Sequence, residues 1–234
     1  MTLTTGTTGI IGAMDEEIEA LLEVLAETRA CHEAGFTVYE GVLEQKQVMI
    51  ARCGIGKVNA AALTQFLLQR GAARIIFTGV AGGLEPSLSV GDIVVSTDAL
   101  QHDVDVTALG YDLAQVPGEP TSWPADDDLI RLALGAAQTL DGVTTTTGRV
   151  VSGDQFIASS DKVRWLRDTF AAHCAEMEGA SVAQVCARWG VPFVIIRSIS
   201  DTADQDAGVD FREFTVLAAR RAKQVVRAML RDLA

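Results

Sequence analysis

Phe193–Asp204 reads FVIIRSISDTAD, an apolar and largely β-branched run behind Gly190 and Pro192 that ends on a carboxylate, Asp201. Such a run forms a strand buried on both faces, the habit of parallel sheets with helices on either side. Ligands gather at the carboxyl ends of strands in open sheets of this kind, which puts Ser200 and Asp201 at a candidate site. Taken alone, Asp201 reads equally well as a cap for the turn in SDTAD.

Two other buried strands also run into acids. TGIIGAM reads as a strand and DEEIEALLEVLAE as a helix with Ile18, Leu21, Leu22 and Leu25 on one face. Asp15, Glu16 and Glu17 fill its first turn, where each anion gains roughly 0.3–1 kcal/mol from the helix dipole. The pattern leaves open which of them faces a pocket. In AEMEGASVAQVCARWG, Glu176 and Glu178 are expected to face opposite sides with Met177 between them, and Glu178 stands at the start of a small-residue helix. It, too, has a reading as a first-turn acid.

The rest of the chain supplies the frame. FTVYEGVL and QVMIARC make a hairpin about Glu44 to Lys46, and CGIGKVNAAALTQFLLQRG opens a helix. Gly54 and Gly56 match neither GxGxxG nor GxxxxGK[ST], so a tight turn is their simpler use. RIIFTGVAGG reads as a strand ending in a glycine-rich turn, where Val80, Ala81 and Gly82 allow close backbone approach to a ligand. SVGDIVVSTDAL is another strand. The proline-punctuated stretch that follows, with Leu109, Tyr111, Val116 and Pro117, reads as a partner surface, a lid or local packing. DDLIRLALGAAQTL, SDKVRWLRDTF and about Asp210 to Leu233 read as helices, and TTTTGRVVSGDQFI as a strand and loop. The expected fold is α/β: one three-layer α/β/α domain over 1–234 with a twisted mixed central sheet, preceded by a polar leader over about residues 1–8.

Composition narrows the function. A chain of 234 residues with 48% hydrophobic residues has room for a sizeable core. A net charge of −12 with no lysine or arginine cluster excludes nucleic acid and anionic membrane as partners. No apolar stretch is long enough to span a bilayer and the N-terminus has no secretory pattern, so a cytoplasmic location is expected. Cys31, Cys53, Cys174 and Cys186 lack CxxC spacing and read as reduced packing thiols; the scattered His32, His102 and His173 imply no metal. No cofactor is implied. What carboxylates and water manage unaided is cleavage of a glycosidic bond, one acid protonating the leaving group and another activating water, while nearby anions stabilise a cationic sugar.

GIIGAMDEE, CGIGKV, TGVAGG, VGDIVVS, HDVDVTALGY, VSGDQFI, EMEGA and RSISDTAD, in this order, resemble the 5′-methylthioadenosine/S-adenosylhomocysteine nucleosidases of the nucleoside phosphorylase superfamily. The resemblance covers about Gly9 to the last helix. It implies that Glu17 is the base activating water, Asp201 the acid protonating adenine N7, and Glu178 the holder of the ribose hydroxyls with Met177 against the sugar. It implies that Phe156 stacks on the purine, that the Ile157 backbone bonds the purine edge, and that Arg197 neighbours the water network. It further implies a homodimer in which the segment of Leu109 and Pro117 closes the partner's 5′-alkylthio pocket beside Ile55 and Phe211. Val80 stands where many relatives have a small hydroxyl residue and Leu109 where an aromatic is frequent, which bears on water geometry and on the 5′ substituent. Gln101 departs from the pattern as well. The implied reaction is hydrolysis of the two thionucleosides. Action on aminodeoxyfutalosine or 5′-deoxyadenosine, phosphorolysis, or nucleoside sensing without turnover are the alternatives. Asp15, Glu16 and Glu17 after the first strand disfavour a phosphate there.

Overall fold

The computed structural model describes residues 6–201 and 207–233, and between 207 and 218 it describes the side chains of Phe214, Val216 and Leu217 only. Within these bounds the chain runs β1 (Thr8–Gly12), α1 (Asp15–Leu22), β2 (Ala26–Glu33), β3 (Phe36–Leu43), β4 (Lys46–Arg52), α2 (Lys57–Gln69) and β5 (Arg74–Gly83). It continues through β6 (Ile93–Gln101), β7 (Trp123–Pro124), α3 (Asp127–Ala137), β8 (Thr145–Ser152), α4 (Ser160–Phe170), β9 (Ala172–Glu176), α5 (Gly179–Trp189), β10 (Phe193–Asp201) and α6 (Ala207–Asp232).

The apolar runs read as buried strands sit at the centre. Every residue of β10 is buried, as is every residue of β1. β1 lies parallel to both β4 and β5, and β10 lies parallel to β5 on its other edge. Alternate residues face opposite layers. Ile10, Ile50, Ile76, Val194 and Ile196 pack with Leu129, Ala133, Val225, Val226 and Met229 of α3 and α6. Ile11, Ala51, Phe77 and Ile195 pack with Leu63, Leu67, Val182 and Cys186 of α2 and α5. Helices therefore cover both faces of a mixed sheet, as expected.

The sheet differs from the expected open layer in closing on itself. β10 pairs antiparallel with β6, β6 parallel with β8, β8 parallel with β9, and β9 returns antiparallel to the end of β5. β5, β10, β6, β8 and β9 thus make a ring, from which β1, β4, β3 and β2 extend as a side sheet. The closure depends on β9, five residues long, which holds β5 only through Gly82↔Ala175 and Gly83↔Cys174. RIIFTGVAGG accordingly stays in strand to Gly83 rather than ending in a turn.

Three smaller differences have local causes. The first helix stops at Leu22, and Ala26–Glu33 forms an edge strand on β3. With almost all of its residues exposed, β2 has no buried face and so no alternation to read. The polar leader is shorter than expected, since Thr8 is fully buried and the Thr7 carbonyl accepts from Ala73 N at 2.9 Å. In the long segment after β6, Leu109 and Tyr111 are exposed but Val116 packs on the core and Ala114 is fully buried. The predicted hairpin is present, its turn made by Glu44 and Gln45 at φ of 48° and 63°. Cys53, Cys174 and Cys186 are buried free thiols.

Candidate active site

The site follows from a change of partner along one edge of β5. Its first half, Arg74–Phe77, pairs with β1, and its end, Gly82 and Gly83, pairs with β9. Thr78–Ala81 lie between the two with no strand beside them on that edge among the described residues. A cleft of about 170 Å³ opens there, lined by Ala13, Met14, Glu17 and Ile55 on one side and by Val80, Ala81, Gly82, Ser200 and Asp201 at its base. Gln155, Phe156 and Ile157 after β8, and Ala175, Glu176, Met177 and Glu178 about the end of β9, complete it. It is a switch point at the carboxyl ends of β1, β5 and β10.

Of the three first-turn acids, only Glu17 turns inward; Asp15 and Glu16 are exposed. Glu17 is the third residue of α1, from which its carboxylate reaches back to accept from Ala13 N at 2.5 Å and Met14 N at 2.9 Å. Its other oxygen accepts from Val80 N at 3.0 Å, taking the amide that the gap in β5 leaves without a strand. Burial pushes the Glu17 carboxyl above its ordinary range; the positive charge of Arg197 and the three amide donors oppose this without cancelling it.

Asp201 is aimed by a bulge. β10 and β5 pair in step to Ile199↔Ala81, and then Asp201, not Ser200, pairs with Gly82. The extra residue turns the strand end, a common device beside functional sites. Asp201 is 2% exposed and accepts from Ser200 Oγ at 2.8 Å.

Glu176 and Glu178 do not face opposite sides as expected; both stand at the cleft wall. β9 ends at Glu176, and residues two apart in an extended chain share a face. Glu178 is the N-cap residue of α5 and accepts from Gly56 N at 2.8 Å. Burial raises its carboxyl well above the usual range, and the neighbouring Glu176 raises it further. Glu176 accepts from Gly179 N at 2.8 and 2.9 Å, from Ser152 Oγ and from the Arg197 guanidinium.

Arg197 lies beneath the cleft, buried, with its guanidinium carbon 4.0 Å from the centre of the Phe77 ring. Its place is fixed by strand parity: it pairs with Gly79 in register, and the bare glycine leaves room for the guanidinium.

Of the residues singled out from sequence, Glu17, Ile55, Val80, Ala81, Gly82, Phe156, Ile157, Met177, Glu178, Ser200 and Asp201 line one cleft. Ile55 and Phe156 stand at its rim, 55% and 53% exposed. Leu109 and Pro117 do not line it, and the side chain of Phe211 lies outside the described residues. Sequence reasoning missed Glu176, Gln155, Ala13, Met14 and Ala175. The signal for Glu176 is the paired acids of EMEG, because residues two apart in an extended chain share a face. Among the described residues no His, Cys, Asp and Glu cluster could hold a metal ion. No described helix is long and apolar enough to cross a membrane.

A family model described as the phosphorylase superfamily matches residues 7–231. The chain is 41% identical over 228 residues to a 5′-methylthioadenosine/S-adenosylhomocysteine nucleosidase of Glaesserella parasuis, covering 97% of this chain and 99% of that protein. It superposes with a TM-score of 0.95 and 43% identity on the nucleosidase of that name from Neisseria meningitidis, solved in complex with methylthio-immucillin-A, over 97% of this chain and all of that one. A futalosine hydrolase of Helicobacter pylori is 34% identical, with a TM-score of 0.93 over 98% of this chain and 99% of that one. The chain belongs to the phosphorylase superfamily and, within it, to the family of 5′-methylthioadenosine/S-adenosylhomocysteine nucleosidases.

Proposed function

We infer that the cleft hydrolyses the N-glycosidic bond of 5′-methylthioadenosine and S-adenosylhomocysteine, releasing adenine and the matching 5′-thioribose. The observation that carries this reading is that Glu17 and Asp201, delivered by different strands, line one buried cleft. Asp201 gives a proton to adenine N7, and the C1′–N9 bond breaks with its electron pair passing to the purine. The oxygen of water bonds to C1′ and Glu17 takes the proton. Three amide donors fix the direction of the Glu17 carboxylate, and burial makes it a stronger base than an exposed glutamate. Glu17, ionised to act as the base, favours the cationic transition state of the ribose.

Glu178 holds the ribose hydroxyls with Met177 against the sugar, Phe156 stacks on the purine and the Ile157 backbone bonds its edge. Val80, Ala81, Gly82 and Ser200 form the floor. Arg197 balances the charge of the carboxylates from below. The protein acts in the cytoplasm as a homodimer, with Leu109 and Pro117 of one protomer closing the 5′-alkylthio pocket of the other beside Ile55 and Phe211. The 73% exposure of Leu109 and the open rim at Ile55 and Phe156 support that arrangement.

The likeness to the futalosine hydrolase favours one second reading, a related nucleosidase acting on aminodeoxyfutalosine. Adenine release from 5′-methylthioadenosine in phosphate-free buffer, beside S-adenosylhomocysteine, 5′-deoxyadenosine and aminodeoxyfutalosine, tests both. The leading reading requires release without phosphate and fastest on the two thionucleosides. Release only with phosphate would make the enzyme a phosphorylase.

A further inference from the structure

Two of the cleft's loops come from distant parts of the chain. Ile55 and Gly56 precede α2, whereas Gln155, Phe156 and Ile157 follow β8. Neither belongs to the sheet, so something else must hold them in register.

A closed circuit of bonds joins them. Lys57 Nζ donates to Asp103 Oδ1 at 2.6 Å, and Asp103 Oδ2 accepts from Asp154 N at 3.0 Å. Asp154 Oδ1 in turn accepts from Lys57 N at 2.9 Å. Lys57 Nζ also donates to Gln101 Oε1 at 3.0 Å, and Gln101 Nε2 donates to Gln184 Oε1 at 2.8 Å, which anchors the circuit to β6 and α5. The side chains of Lys57 and Asp103 are only 17% and 13% exposed, so this pair is little screened by solvent. One residue before Lys57, Gly56 N donates to Glu178. One residue before Asp154, Gly153 leaves space for the His102 ring, which a β-carbon there would strike.

We propose that Lys57 is a positioning residue for the adenosine site: through Asp103 and Asp154 it locks the Ile55–Gly56 loop to the Gln155–Ile157 loop, and so sets the distance between the sugar contacts and the purine contacts. This rests on the nucleosidase reading. Gln101, without a role in the reaction itself, is the polar seat of the ammonium. Burial raises the Asp103 carboxyl, but the Lys57 ammonium and the Asp154 amide outweigh it, leaving it below its ordinary value and charged.

Glu17 and Asp201 ride on α1 and β10, not on either tethered loop, so releasing the tether should weaken binding more than the chemical step. If the aligned population falls to about a tenth, KM rises about tenfold. The test is Lys57→Met, with Lys57→Arg as conservative rescue and Asp154→Ala, at an exposed position, as the variant certain not to disturb the core. Expected are a rise of about tenfold in KM for 5′-methylthioadenosine with kcat within about threefold, and substantial recovery in Lys57→Arg. In the ligand-free proteins, hydrogen exchange at the Lys57 and Asp154 amides should quicken while β10 stays protected. Unchanged exchange at those amides, an unchanged KM, or β10 losing protection in step would overturn the proposal. Failure of the wild-type enzyme to release adenine would instead sink the nucleosidase reading, and the exchange measurement would still decide the tether.

Discussion

The Glu17 carboxylate and the Arg197 guanidinium converge on the same bare stretch of backbone, Gly79 of β5, and a β-carbon there would overlap both. Neither side chain can swing clear. Arg197 is stacked on Phe77 and paired with Glu176, and Glu17 is held by the amides of Ala13, Met14 and Val80. Gly79→Ala is therefore an overpacking change, expected to cost about 1–3 kcal/mol of stability. Because the displaced group is the proposed base, kcat/KM should fall by at least about tenfold. Thermal melting and steady-state kinetics on 5′-methylthioadenosine check this; a melting point and rate matching the wild type would show that the two charges have slack.

Glu17→Gln keeps the shape but offers one acceptor oxygen where the carboxylate offers two to the amides of Ala13, Met14 and Val80, and it cannot take a proton from water. Asp201→Asn cannot give one to adenine. Each change should lower kcat by about 10²–10⁴-fold, the usual worth of a positioned acid or base. Affinity for adenine, measured by calorimetry, should change little, since neither substitution alters the volume of the cleft. A variant retaining near wild-type turnover removes its residue from the mechanism.

The carboxyls of Glu17 and Glu178 are both raised by burial, and this has a definite sign in stability. Above the ordinary carboxylate value of 4.5, the unfolded chain releases these protons while the folded protein still holds them. Their contribution is fully present below 4.5 and is lost as pH rises through the raised folded values. Glu178→Gln has nothing to titrate, so its chemical denaturation midpoint should fall less than that of the wild type between pH 4.5 and neutrality. Parallel midpoint curves for the two proteins would show that Glu178 titrates normally.

How far the sequence reveals this site depends on what each element needs. β10 is legible because burial on both faces demands a continuous apolar run, and the acid at its end marks the strand mouth. Glu17 among its neighbours is legible only through the family resemblance, not from residue preference. Helix-dipole preference treats Asp15, Glu16 and Glu17 alike, and only the gap in β5 selects the one that reaches Val80. The ring closure is hidden for a related reason: two residue pairs between β9 and β5 create it, and so short a pairing leaves no periodic trace. The bulge that aims Asp201 has no composition of its own, since Ser200 is an ordinary strand-end residue.

Arg197 carries the last test. Its side chain and that of Glu176 are 1% and 3% exposed, so the pair is fully removed from water. Arg197→Met fills most of the volume but strands the Glu176 carboxylate, a loss of about 3–5 kcal/mol. It also removes the charge that opposes protonation of Glu17. The Glu17 carboxyl then titrates higher still, and the acid limb of the kcat/KM profile, which reports the free enzyme, should move to higher pH. Adding Glu176→Met replaces the pair with apolar side chains and should recover part of the stability, because no lone charge stays buried. It should not return the acid limb to its wild-type position, since Glu17 still lacks its cation. Recovery of stability and of the pH profile together would mean that Arg197 acts on Glu17 only through the packing of Glu176; recovery of stability alone separates its charge from its place in the core.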